Sequence, residues 1–283
     1  MTALLTKSVL DTIRQRRSAG ETLSRLAGEI GIPWQRLWSL LYSAPHAADD
    51  SVDTSPVLRK VTVDGPLVER YRPITLDAIF GQAKVVKVLR KFASQPYSTA
   101  FVFEGETGTG KTSAALALAA ALGCDLDQKE FGGVQTIASG EQSADAVREA
   151  YQHMHVAPWS GSGWKVVIVN EADRLARTAE VIWLDVLESL PAKTVIVFTT
   201  NEAARLSQRF LDRCTRLTFE SDAVKLRASA NQFATAVWTE ETGKKPHATK
   251  IQKIVESTQA DGRISFRRLV QTLAVEINTE NDF

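Results

Sequence analysis

A chain of 283 residues, 44% apolar and 24% charged, is long enough to bury one large core and to carry a smaller module as well. Its net charge of +1 excludes a uniformly basic surface for nucleic acid, so any basic patch must be local. Cys124 and Cys214 are too few for a disulfide framework and too far apart for a zinc spacing. No apolar run approaches the ~18 residues of a membrane span, so a cytoplasmic location without a membrane partner is expected.

The first predicted elements are helical and fall within residues 1–43. "LSRLAGEIGIPWQRLWSLL" (23–41) has the spacing of a helix-turn-helix. Ala27 is small where the two helices would cross, and Gly31 sits in the turn, where a positive φ is easily taken. Leu26, Ile30, Ile32, Leu37 and Leu40 supply the apolar positions, and Pro33 suits a first helical turn. A helix over about 4–17 would complete a three-helix unit. Six basic side chains (Lys7, Arg14, Arg16, Arg17, Arg25, Arg36) face three acids (Asp11, Glu21, Glu29), a surplus suited to DNA phosphates. Gln35, Arg36 and Ser39 would point outward and reach base edges. Trp34 and Trp38 share a face, which leaves core packing or a protein-docking surface as open alternatives. Residues 44–65 are rich in small and turn-forming residues and read as a linker, with a short extended piece at 61–63.

From residue 66 onward, apolar runs alternate with helical patterns. "AFVF" (100–103), "VQTI" (134–137), "KVVIV" (165–169), "VIVFTT" (195–200) and "TRLTF" (215–219) read as five strands. Continuous apolar strands alternating with helices predict a parallel sheet covered on both faces. The last ~60 residues carry helical patterns only.

After the first strand comes "GETGTGKT", Gly105 to Thr112, and then an Ala/Leu-rich helix from Ser113. This fits G-x-x-x-x-G-K-[ST] in the strand-loop-helix context the motif requires. Gly105, Glu106, Thr107, Gly108, Thr109 and Gly110 form a loop whose N–H groups would face a phosphate at a helix N-terminus. Lys111 would reach the β- and γ-phosphates, and Thr112 would ligate Mg²⁺. The third strand ends "VVIVNEAD". Strand ends of an open parallel sheet face the ligand crevice. There Glu171 would sit beside the γ-phosphate of a nucleoside triphosphate and orient or activate the attacking water, and Asn170 would face the hydration shell of Mg²⁺. An asparagine keeps an oxygen but lacks the charge of an aspartate, so turnover is expected to be slow. "VIVFTTN" delivers Asn201 to the same edge.

These residues resemble a family. "ERYRPITLDAIFGQ" (69–82), the phosphate loop, "NEADRL", "TTN" and "DRC" occur in the order and spacing of clamp-loader ATPases of the AAA+ superfamily, similar to replication factor C small subunits. The resemblance covers about residues 67–277. It implies an α/β fold: an AAA+ P-loop core (66–220) with a five-stranded parallel sheet, and a helical lid (221–283). The small all-α N-terminal helix-turn-helix module lies outside the pattern. The resemblance also implies ATP and Mg²⁺ as cofactors. Val68, Tyr71, Arg72 and Pro73 match the stretch that wraps the adenine and ribose. Asn201 matches the first sensor, and Arg213 matches an arginine finger that acts on a neighbouring subunit. Arg267 is the best match to the second sensor, with Arg263 and Arg268 close by.

DNA candidates in the core are Lys87, Arg90 and Lys91 on a helix over 85–93, with Lys84 just before it, and Arg174 and Arg177 after the Asn-Glu pair. A charge run of this kind is more often a solvated face. The sequence departs from the family at Asn170, lacks the four-cysteine insertion of bacterial tau/gamma relatives, and ends at Phe283 where relatives continue into a collar. The expected function is a DNA-associated, nucleoid-located ATPase of replication or repair. Its expected partners are DNA, a sliding clamp or another replication or recombination protein, and copies of itself or related AAA+ subunits. A phage or mobile-element remodeller or recruiter, and a nucleotide-locked scaffold subunit, are the alternatives.

Overall fold

The computed structural model describes residues 9, 12, 13, 16, 23–31, 37, 56, 58, 65–128 and 131–281. The chain divides into two units, Met1–Thr54 and Ser55–Phe283. In the first, Leu23–Ile30 forms helix α1, and Gly31 follows at φ +72°. Ile13, Leu26, Ala27 and Leu37 are buried together, with Ile30 packed against them. Arg16 pairs with Glu29 at 2.7 Å. The DNA candidates Gln35, Arg36 and Ser39, like Trp34 and Trp38, lie outside the described residues.

The second unit is built on a parallel sheet of five strands. They are β1 (Thr99–Glu104), β2 (Val134–Ile137), β3 (Lys165–Val169), β4 (Thr194–Thr200) and β5 (Thr215–Thr218). Their spatial order is β2-β3-β4-β1-β5. Phe101 on β1 stands opposite Val197 on β4 and Thr215 on β5. The five apolar runs are therefore the five strands, shifted by one residue at some ends.

Side chains alternate between the two faces of a strand, and both faces of the inner strands β1, β3 and β4 are dry. Phe101, Phe103, Val166, Ile168, Val195 and Val197 form one core with helices Ala83–Ser94 and Lys111–Ala121. Ala100, Val102, Val167, Val169, Ile196 and Phe198 form the other with helices Ala144–His155 and Arg177–Glu188. In chain order these helices are α3, α4, α5 and α6, with the short Leu67–Arg70 as α2. Trp183 meets Phe198 edge-on at 5.1 Å in the second core. Full burial of a side chain this large contributes about 1.5–3 kcal/mol. Residues Ala114 to Ala119 of α4 are all buried, because alanine and leucine let this helix sit close against the sheet.

After the short α7 (Gln208–Leu211), the lid consists of α8 (Ala223–Thr242), α9 (Ala248–Ser257) and α10 (Phe266–Asn281). Its core holds Leu226, Phe233, Val237, Trp238, Ile254, Leu269 and Leu273. It also takes in Leu67, Tyr71 and Phe80 from before the sheet. The stretch assigned to the P-loop core thus supplies anchors to the lid, because these apolar side chains find their buried partners there. Leu58, inside the segment read as a linker, packs against the same core.

Candidate nucleotide-binding site

The phosphate loop leaves β1 and enters α4, whose first residue is Lys111. Gly110 precedes it at φ +97°, a left-handed conformation that a side chain would strain. Lys111 Nζ donates to the carbonyls of Gly105 at 2.7 Å and Glu106 at 2.9 Å, and to Asn201 Oδ1 at 2.8 Å. Burial pulls the Lys111 ammonium down to about 8, against the opposing charge of Glu106. The sheet order explains the contact with Asn201: β4 lies beside β1, so the residue after β4 emerges next to the loop after β1.

On the other side of β4, β3 presents Asn170. Its Oδ1 accepts from Thr112 Oγ1 at 3.0 Å and from Thr199 Oγ1 at 3.3 Å. Two oxygens at one strand edge suit a hard cation such as Mg²⁺. Glu171 follows at φ +53°, in the left-handed region. Such a backbone persists where neighbours hold it. Buried Gln142 does this, donating through Nε2 to the carbonyls of Asn170 and Glu171, the latter at 3.1 Å. The Glu171 carboxylate accepts from Ser139 Oγ and meets Arg174 Nε at 3.3 Å. Asp173 accepts from Thr200 Oγ1 at 2.8 Å and from the Asn201 N–H at 3.3 Å, which fixes the start of the Asn201 turn. Sequence reasoning missed Ser139, Gln142 and Asp173. The rule that located Asn201 also covers Ser139 and Gln142, which follow β2 at the same sheet edge.

The lid reaches the loop from outside. The Phe266 N–H donates to the Gly108 carbonyl at 3.0 Å. A Cβ at Gly108 would stand 3.3 Å from Arg267 Cβ, and the Arg267 charge acts on Lys111. Arg263 pairs with Glu106 at 2.6 Å. The Arg268 N–H donates to Ser265 Oγ at 3.4 Å.

Other sequence candidates lie elsewhere. Tyr71 is buried in the lid core with its hydroxyl on Glu241. This burial raises its phenol far above the ordinary value and leaves its main chain as what it can offer a ligand. Arg72 pairs with Glu69 at 2.7 Å, and Pro73 is half-buried. Val68 lines a cleft of about 430 Å³ with Arg70, Gln271 and Asn278. Thr107 is exposed, and Ser113 is half-buried in the first turn of α4. Arg213 donates to the Arg209 carbonyl at 2.8 Å and pairs with Glu188. It precedes β5, at the sheet end opposite the phosphate loop. On α3, Lys84, Lys87 and Lys91 are exposed, whereas Arg90 is held by Asp77 at 2.5 Å. Arg177 is exposed at the start of α6.

Residues 101–221 match the family described as ATPase family associated with various cellular activities (AAA). Replication factor C subunit 3 of Saccharomyces cerevisiae is 29% identical over 220 residues, covering 77% of this chain and 62% of that protein. The replication factor C small subunit of Archaeoglobus fulgidus is 30% identical over 164 residues, covering 56% and 51%. The chain thus spans between half and two thirds of the length of these relatives. Among solved structures, the Holliday junction branch migration motor RuvB of Thermotoga maritima aligns with a TM-score of 0.50 at 16% identity over 72% of each chain. A variant of RuvB from that organism aligns with a TM-score of 0.52 at the same identity and coverage. At this identity the likeness is one of fold. Among the described residues, no helix is long and apolar enough to cross a membrane.

Proposed function

We propose that this chain, which resembles clamp-loader ATPases of the AAA+ superfamily, binds ATP, hydrolyses it, and acts on DNA in replication or repair. The observation that carries this reading is the meeting of residues from three strand ends at one loop. Lys111 stands 2.8 Å from Asn201, and Thr112 stands 3.0 Å from Asn170. Lys111 and the loop N–H groups hold the phosphates, and Arg267 approaches from the lid. The base lies beside Val68, and Tyr71, Arg72 and Pro73 border it through main chain. Glu171 takes the proton of the attacking water, and Asn201 orients that water. Thr112, and Asn170 through water, would hold Mg²⁺, which would supply charge neutralisation on the transferred phosphoryl group.

Hydrolysis is completed by a neighbouring copy or a related subunit. Arg213 lies at the wrong end of the sheet to reach the phosphates of its own chain, which supports action in trans. Lys84, Lys87, Lys91 and Arg177 are the exposed cations offered to DNA phosphates. Arg90 and Arg174 join them only after leaving Asp77 and Glu171. A sliding clamp or another replication or recombination protein is the cargo. The test is steady-state ATPase activity with Mg²⁺, with and without primer–template DNA, against a Lys111→Ala control. Turnover that rises with DNA supports the reading. Tight ATP binding with no turnover overturns it in favour of an ATP-locked scaffold, the alternative that the neutral Asn170 favours.

The neutral Asn170 has its own measurable consequence where the chain does turn ATP over. Asn170→Asp places a charge beside Thr112 and is expected to lower the Mg²⁺ concentration for half-maximal ATPase activity by about tenfold, equivalent to about 1.4 kcal/mol. A Mg²⁺ titration of both proteins checks it.

A further inference from the structure

The phosphate loop carries a carboxylate of its own. Glu106 follows Gly105, and its carbonyl accepts from Lys111 Nζ at 2.9 Å and from Thr109 Oγ1 at 2.8 Å. A carboxylate on a loop that receives phosphates is an electrostatic liability, because it adds a like charge within a few ångströms of the ligand. The lid answers it. Arg263 Nη1 lies 2.6 Å from Glu106 Oε1, with side-chain exposures of 56% and 44%.

The guanidinium is delivered by a tight turn. The Arg263 N–H donates to the Ala260 carbonyl at 2.9 Å, and the Arg263 carbonyl accepts from the Ala260 N–H at 3.1 Å. Asp261 and Gly262, between them, take φ of +50° and +71°. The Ile264 N–H then ties the segment after the turn to the Ser221 carbonyl at 2.9 Å. Two residues further on, the lid docks on the loop itself. The Phe266 N–H bonds to Gly108, and a Cβ at Gly108 would stand 2.0 Å from Ser265 Oγ.

We propose that Arg263 is a positioning residue that acts through Glu106. It cancels the loop carboxylate and seats the lid on the phosphate loop, and it does not touch phosphate. This rests on the reading of the loop as a nucleotide site. If it holds, nucleotide affinity follows the summed charge at positions 106 and 263. That sum is zero in the parent, −1 in Arg263→Ala, +1 in Glu106→Gln and zero again in the double variant.

The experiment measures ATP affinity of the full chain for all four proteins at low and high salt. At low salt, Arg263→Ala binds ATP about fivefold more weakly and Glu106→Gln about twofold more tightly. The double variant returns to within about twofold of the parent, and high salt collapses the spread. Amide exchange at residues 264–267, measured without nucleotide, quickens in each single variant and no further in the double. A double variant as weak as Arg263→Ala overturns the proposal, because Arg263 would then contact phosphate directly. An unaltered Arg263→Ala also overturns it. Failure of the parent to bind ATP sinks the nucleotide-site reading instead.

Discussion

Lys111→Ala is expected to lower ATP affinity by about 10²-fold or more, since hydrogen bonds from a charged donor contribute about 1.5–3 kcal/mol each. The three acceptors gathered around Nζ, two loop carbonyls and Asn201 Oδ1, show how fully the site is organised about this one cation. A titration with fluorescent ATP checks it, and parent-like affinity in the variant would sink the site assignment. The same residue gives a pH signature. Burial depresses its charged form, so without nucleotide it loses its proton near pH 8. A polyphosphate beside it favours the charged form and raises that value. Binding near and above pH 8 therefore takes up a proton. ATP affinity is full below pH 8 and falls as pH rises past it, by up to about tenfold per pH unit. Calorimetry in buffers of different ionisation enthalpy reads the proton directly, and proton release would contradict the assignment.

Arg213→Ala is expected to leave ATP binding intact and to remove hydrolysis that depends on assembly, by about 10³–10⁵-fold where an arginine finger acts. The fold should tolerate the change. The pair with Glu188 is partly exposed, at 31% and 60%, and such pairs contribute about 0–1 kcal/mol. Mixing gives the decisive arm. An Arg213→Ala subunit keeps its nucleotide site, and a Lys111→Ala subunit keeps its finger. Each is inactive alone, and a mixture should recover activity at their shared interfaces. Unchanged hydrolysis by Arg213→Ala, or a mixture as silent as its parts, rules out a finger in trans.

Two contacts near the site link distant parts of the chain in ways that spacing does not reveal. Tyr71 and Arg70 both reach Glu241 in α8, so the stretch that matches the base-wrapping motif is built into the lid. The apolar pattern of α8 marks it as a helix, but it does not say that its last turn receives a tyrosine from 170 positions earlier. In the same way, Arg263, Arg267 and Arg268 read alike in sequence. Only the docking of Phe266 on Gly108 separates Arg263, paired with the loop carboxylate, from Arg267, whose charge acts on Lys111.

What the sequence determined by itself is local. The three inner strands, β1, β3 and β4, follow from runs of β-branched and aromatic residues too apolar to leave either face wet, and the edge strands β2 and β5 from shorter runs of β-formers. The phosphate loop follows from glycines spaced over eight residues between a strand and a helix. Gly31, just past the end of α1, takes the positive φ that glycine adopts freely. What the tertiary structure decided is partnership across the chain. Lys111 and Asn201 are 90 residues apart, and Thr112 and Asn170 are 58 apart. They meet because β4 lies between β3 and β1 in the sheet. Strand order is set by how whole faces pack against helices, and no short-range spacing records it. Ser139, Gln142 and Asp173 became visible as the holders of Glu171 and Asn201 only once that order had brought four strand ends to one edge.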